Sequence, residues 1–97
     1  MAKTIRMTPD LMHDRARQYR TEADNINAII NRMDILLKNL QSEWEGSASA
    51  AYSERYEALK PFFLRAEEVV REIEAALDVT AKRYEEVDAT VAGQFRG

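Results

Sequence analysis

Cysteine is absent from this 97-residue chain, which excludes disulfides, thiolate metal centres and cysteine nucleophiles. Glycine occurs three times and proline twice, too rarely for a loop-rich architecture or low-complexity disorder. No stretch is apolar for long enough to form the core of a secretory leader or to span a bilayer, so neither is expected. Charge of one sign is not in excess either. The 14 Lys/Arg are interspersed with 17 Asp/Glu for a net of −3, and with no basic patch, nucleic acid is not an expected partner.

What remains is a composition of long amphipathic helices, 45% hydrophobic and 32% charged, in a chain long enough for one domain, 1–97. Thr8-Pro9-Asp10 has the chemistry of a helix start. Thr8 can cap free N–H groups, Pro9 suits the first helical position, and Asp10 complements the positive end of the dipole. Beyond it Met12, Ala16, Tyr19, Ala23, Ile26, Ile30, Met33, Leu37, Leu40 and Trp44 recur at alternating spacings of 4 and 3. Such a seam faces a partner helix along its whole length. It predicts a first helix over about residues 9–43.

Trp44-Glu45-Gly46 falls almost at the chain midpoint, and Gly46 stands where a helix-ending residue of left-handed conformation is expected. The turn is placed at 44–47, with Ser47 or Ser49 available to cap the next helix. A second seam of the same period runs through Tyr52, Tyr56, Leu59, Phe63, Ala66, Val70, Ile73, Leu77, Thr80, Tyr84, Val87 and Val91. It predicts a helix over 48–91 and a frayed tail over 92–97, with Gly93 as the stop. Pro61 interrupts this helix on the face away from the seam, where it bends rather than ends it. So short a joint permits only an antiparallel hairpin, with residue i opposite roughly 92 minus i.

A further apolar line flanks the seam at Ile29 and Leu36 on the first helix and Phe62, Val69 and Ala76 on the second. Two helices cannot cover both lines, so the expected fold is all-α: an antiparallel two-helix hairpin that dimerises into a four-helix bundle. Ile29, Leu36, Phe62 and Val69 are the candidate dimer interface. Long Lys, Arg and Glu stems half-shielding these residues would be the alternative.

No catalytic residue, metal ligand or cofactor site is assigned. His13 is the single histidine, and its neighbours Asp10 and Asp14 make a weak metal-like cluster, read instead as a solvated N-terminal turn. Ser47 and Ser49 lack a base, and there is no Gly-rich phosphate loop. Charges at Asp34/Lys38, Glu67/Arg71 and Asp78/Lys82 are read as self-paired along one helix. Tyr84 and Asp88, four apart, share one face near the end of the second helix.

About one hundred residues, Trp-x-Gly in a hairpin turn and Tyr-x-x-x-Asp near the C-terminus together resemble the small Trp-x-Gly proteins of type VII secretion, in their Bacillus-type branch. Trp44, Gly46, Tyr84 and Asp88 stand at the family positions. The resemblance implies a non-enzymatic substrate, effector or co-secreted adaptor, made in the cytoplasm and exported without a cleavable signal peptide. Its implied partners are a second copy, or alternatively another Trp-x-Gly protein, and a secretion ATPase of the FtsK/SpoIIIE type. Trp44 and Gly46 would form one half of an export signal and Tyr84 and Asp88 the other. A cytosolic chaperone for a larger toxin and a membrane-disrupting factor are the alternative functions; stable membrane insertion is not expected.

Overall fold

The computed structural model describes residues 7–44 and 46–96, and within them the chain is two helices, α1 (Pro9–Glu43) and α2 (Ser47–Arg96). Thr8 caps α1 in extended conformation, its side-chain oxygen accepting from the Leu11 N–H at 3.1 Å, and Pro9 follows in the first turn. Trp44, also extended, ends α1 by donating its N–H to the Leu40 carbonyl.

The joint differs in detail from the expectation. Gly46 has φ +115°, a conformation L side chains rarely adopt, but it lies beyond the α1 cap and serves the start of α2: its carbonyl accepts the Ala50 N–H. Because α2 begins at Ser47, the capping position falls to Gly46 rather than to a serine. At its far end α2 runs to Arg96, past the expected stop at 91. Gly93 sits inside the helix without positive φ, since a glycine weakens a helix interior but need not terminate it. Pro61 lies inside α2, which continues through it. Glu45, in the middle of the turn, and Gly97, the end of the expected tail, lie outside the described residues.

The two helices pack antiparallel, and their polar contacts define the register. Arg20 reaches Glu74 (2.7 Å), Asn27 reaches Glu67 (3.1 Å), Lys60 reaches Asp34 (3.2 Å) and Gln41 reaches Ser53 (3.0 Å); each pair of numbers sums to 94. Residue i therefore faces 94 minus i, two positions from the expectation. These residues recur every seven, one past the seam residues Tyr19, Ile26, Met33 and Leu40 on α1 and Tyr52, Leu59, Ala66 and Ile73 on α2. In an antiparallel pair, equivalent flanking positions meet across the seam. One flank of the hairpin is thus closed by a polar ladder.

The seam itself buries little. Among the described residues the buried apolar ones are Met12, Ala16, Ala23, Ile30 and Ala81, and no large side chain is fully buried. The molecule measures 77 × 33 × 16 Å, with a radius of gyration of 22.0 Å. A compact domain of this length would have about 12.5 Å. Its accessible surface is 7776 Å², where a compact chain of 11.2 kDa exposes about 5,700 Å². The hairpin is a single layer with roughly 2,000 Å² of surface in excess.

Candidate functional site

Most of the exposed large apolar residues belong to the seam or to the flank away from the ladder. The flank positions are those one before a seam residue. Ile29 precedes Ile30, Leu36 precedes Leu37, Phe62 precedes Phe63 and Val69 precedes Val70. Phe62 is 75% and Leu36 65% exposed, and Ile29 and Val69 are more than one third exposed. Toward the tip, Met33, Leu36, Leu37, Leu40, Tyr52 and Tyr56 line a shallow apolar groove on the same side. Among the described residues no side chain covers it.

Trp44 marks the tip. Its ring leans on Tyr52, centroids 5.7 Å apart and planes inclined by 37°, and the Arg55 guanidinium stands 5.9 Å from the Tyr52 ring centre. The indole therefore packs on an aromatic of α2's second turn, and it remains 44% exposed. Tyr84 is at the other end. Register places it level with Asp10, in the first turn of α1, so almost nothing of α1 extends past it. It lines a small groove with Thr80, Arg83 and Val87 and is 51% exposed, and Asp88 one turn on is exposed too. Within one chain, the Trp-x-Gly and Tyr-x-x-x-Asp residues are separated by about 38 helical residues, roughly 55 Å.

The polar ladder was only partly legible in the sequence. His13 is level with the buried Ala81 and straddles it, Nδ1 2.8 Å from Asp78 and Nε2 2.8 Å from Glu85. It is a cross-hairpin clip, not the solvated histidine expected, and it does not gather Asp10 and Asp14 around an ion. Among the described residues no cluster is arranged to hold a metal. Asp34 likewise turns from Lys38 to the other helix, accepting from the Tyr56 hydroxyl at 2.6 Å and pairing with Lys60. That hydrogen bond holds the Asp34 carboxyl below its ordinary range and pushes the Tyr56 phenol up to about 12. Of the three pairs expected along one helix only Glu67–Arg71 forms, at 2.8 Å, and Glu67 also accepts from Asn27, the larger cause of its lowered pKa. The missed signal was present: every α1 position one past a Met12-type seam residue is polar, namely 13, 20, 27, 34 and 41.

Two carboxylates on both ring nitrogens require both to carry protons, so the clip favours imidazolium. The hydrogen bond to Asp78, followed by that to Glu85, raises the His13 pKa above 6.5. A raised folded-state value means that the clip's contribution to stability is complete below pH 6.5 and fades as pH rises through that value. Thermal melts by circular dichroism at about pH 5.5 and about pH 8.5 should give the lower Tm at the higher pH. His13→Ala should remove most of the difference; an undiminished difference would place its origin in other groups.

Set against known proteins, residues 4–89 match the WXG100 family model, described as proteins of 100 residues with WXG. The chain is 35% identical over 97 residues to Protein YukE of Bacillus subtilis, covering all of both chains. It is 24% identical over 91 residues to the type VII secretion system extracellular protein A of Staphylococcus aureus, covering 94% of each. Among solved structures, EsxA of Geobacillus thermodenitrificans superposes with a TM-score of 0.86 at 34% identity, covering 94% of this chain and 100% of that one. EsxB of Bacillus anthracis, described as a secreted protein, superposes with a TM-score of 0.82 at 22% identity over 91% of this chain and 99% of that one, a likeness of fold.

Proposed function

This chain belongs to the WXG100 family, and from that membership we propose that it is a non-enzymatic substrate of a type VII secretion system, exported as a folded homodimer. The Staphylococcus relative, named as an extracellular protein of such a system, supports the route. The observation that carries the reading is the placement of the two motifs. Trp44 and Gly46 stand at the tip and Tyr84 and Asp88 at the far end of a rod, so one chain cannot present them together. A second hairpin laid antiparallel on the open apolar flank brings the tip of one copy beside the terminal end of the other. Each end of the dimer then carries a complete signal.

The surface balance supports the same assembly. The roughly 2,000 Å² exposed in excess is more than the ~800 Å² that each partner of a standard interface contributes. No helix is long and apolar enough among the described residues to cross a membrane. The recognising partner in this reading is a secretion ATPase of the FtsK/SpoIIIE type. The test is export itself. The protein should accumulate in spent medium of a host with the system intact and stay in the cell pellet when the gene for that ATPase is deleted, cell lysis being monitored with a cytoplasmic marker. Undiminished protein in the medium of the deletion strain would overturn the proposal.

A further inference from the structure

The charged part of the polar ladder runs out before the tip. From the terminal end inward its carboxylates are met by cations: Asp78 and Glu85 by His13, Glu74 by Arg20, Asp24 and Glu67 by Arg71, and Asp34 by Lys60. The last rung, Gln41 to Ser53, carries no charge. Past Lys60 toward the tip, α2 presents Glu57 and Glu54, both exposed and with neither an ion pair nor a hydrogen bond among the described residues. Lys38 comes level with position 56 by the register, yet it forms no ion pair there either.

Two shallow grooves meet at these carboxylates. The inner one is lined by Asp34, Ile35, Lys38, Gln41 and Glu57. The outer one continues to the turn along Gln41, Gly46, Ser49, Ser53, Glu54 and Glu57, so that Gln41 and Glu57 belong to both. Ser49 borders the outer groove, is only 8% exposed, and has no hydrogen-bond partner among the described residues. A hydroxyl so enclosed takes its partner from whatever fills the groove. Gln41 uses its amide N–H on Ser53, which leaves its side-chain carbonyl as an acceptor. Space is open at Gly46, where nothing lies within 4 Å of the point a Cβ would occupy. The last carbonyls of α1 and the first N–H groups of α2 end side by side at the turn. Their opposite partial charges offset, and the carboxylates set the sign of the groove.

We propose that this tip groove binds an extended segment of another protein through an arginine, whose guanidinium lies between Glu54 and Glu57. The outer groove offers acceptors for it: two carboxylates three residues apart on α2, the Gln41 carbonyl and the Ser49 hydroxyl. A planar fork of five N–H donors fits acceptors spread in this way better than a point charge does. A divalent cation would need ligands that converge, and among the described residues no such cluster exists. Exposed Ile35 borders the inner groove, and by the register Glu54 is level with position 40, five residues or roughly 7.5 Å farther along the rod. Two residues of extended chain span about 7 Å and point their side chains the same way. An apolar residue two positions from the arginine would therefore rest on Ile35. The groove lies on the ladder side, so it stays open when the apolar flank is covered. The inference goes beyond the export reading and stands whether or not that reading does.

The probe is the peptide acetyl-Leu-Gly-Arg-Gly-amide, titrated into the isotope-labelled full chain and followed by NMR at about 20 mM salt, where screening is weak. Backbone amide signals of Gln41, Gly46, Ser49 and Glu57 should shift and saturate, while that of Glu74, farther down the ladder, should not. The same peptide with citrulline for arginine, alike in shape but uncharged, should bind at least about tenfold more weakly. Glu54→Gln with Glu57→Gln should weaken binding by a similar factor, whereas Lys38→Gln, which removes a competing cation, should tighten it about twofold to threefold. Glu68→Gln with Glu72→Gln, acids that approach Arg65 outside the groove, should leave affinity unchanged. All five replaced side chains are exposed, so the circular dichroism spectrum should not change. The proposal is overturned by an absence of shifts in the groove, by a citrulline peptide that binds as well, or by a Lys38→Gln variant that binds more weakly. A Glu68/Glu72 variant that loses as much affinity as the Glu54/Glu57 variant would overturn it too, by assigning binding to the overall charge of the rod.

Discussion

Replacing Phe62 and Leu36 together by aspartate is expected to convert the protein from a species of about 22 kDa, two chains of 11.2 kDa, to one of 11.2 kDa in light scattering at micromolar concentration. These two are the most exposed large apolar side chains of the open flank, at 75% and 65%. In a dimer each contributes twice. Fully burying a Phe or Leu side chain is worth about 1.5–3 kcal/mol, so four of them supply roughly 6–12 kcal/mol before the costs of association. Carboxylates in their place lose that gain and must also be desolvated. The dissociation constant should rise by at least about a thousandfold, equivalent to roughly 4 kcal/mol. Helicity and Tm should fall with the mass, because three of the five buried apolar residues among those described are alanines. A variant that keeps the dimer mass would show that the bundle forms through another face.

Tyr84→Ala is expected to abolish appearance in the culture medium while leaving the circular dichroism spectrum and the dimer mass unchanged. Tyr84 is half exposed and lies where α1 is just beginning, so its loss removes little from the packing inside the hairpin. Its ring forms one wall of a groove whose other walls are Thr80, Arg83 and Val87, open to solvent and able to receive a side chain of another protein. Asp88→Ala should act in the same direction. Trp44→Ala separates signal from plug at the other end: lost export with the dimer retained assigns the indole to recognition, whereas loss of the dimer assigns it to packing against Tyr52 and the partner. Normal secretion of the Tyr84→Ala variant would remove that residue from the export signal.

Local chemistry was readable wherever one segment decides the outcome. The Thr8 cap, the seven-residue seam from Met12 to Trp44 and the need for a glycine in the joint all follow from residues within a turn or two of one another. The charged residues were less readable. Asp34 and Asp78 each have a lysine four residues on, and a rule confined to one helix pairs them with it. In the hairpin a competing donor lies across the seam, Tyr56 with Lys60 for Asp34 and His13 for Asp78. These donors are held in place by the packing of two helices, whereas exposed lysines four residues on must each be ordered at an entropic cost.

The pattern of apolar residues along the chain is therefore enough to specify helices, a hairpin and a surplus apolar stripe, since each depends on helical period and on a joint too short for any other course. It also marks Ile29, Leu36, Phe62 and Val69 as the line left over. It is not enough to say which polar residues close the other flank, and that followed from the register of 94, which brings positions 13, 20, 27, 34 and 41 against 81, 74, 67, 60 and 53. A shift by a few residues would have paired different charges, and the sum of many weak contacts along two long helices selects among such registers only once the helices are packed together.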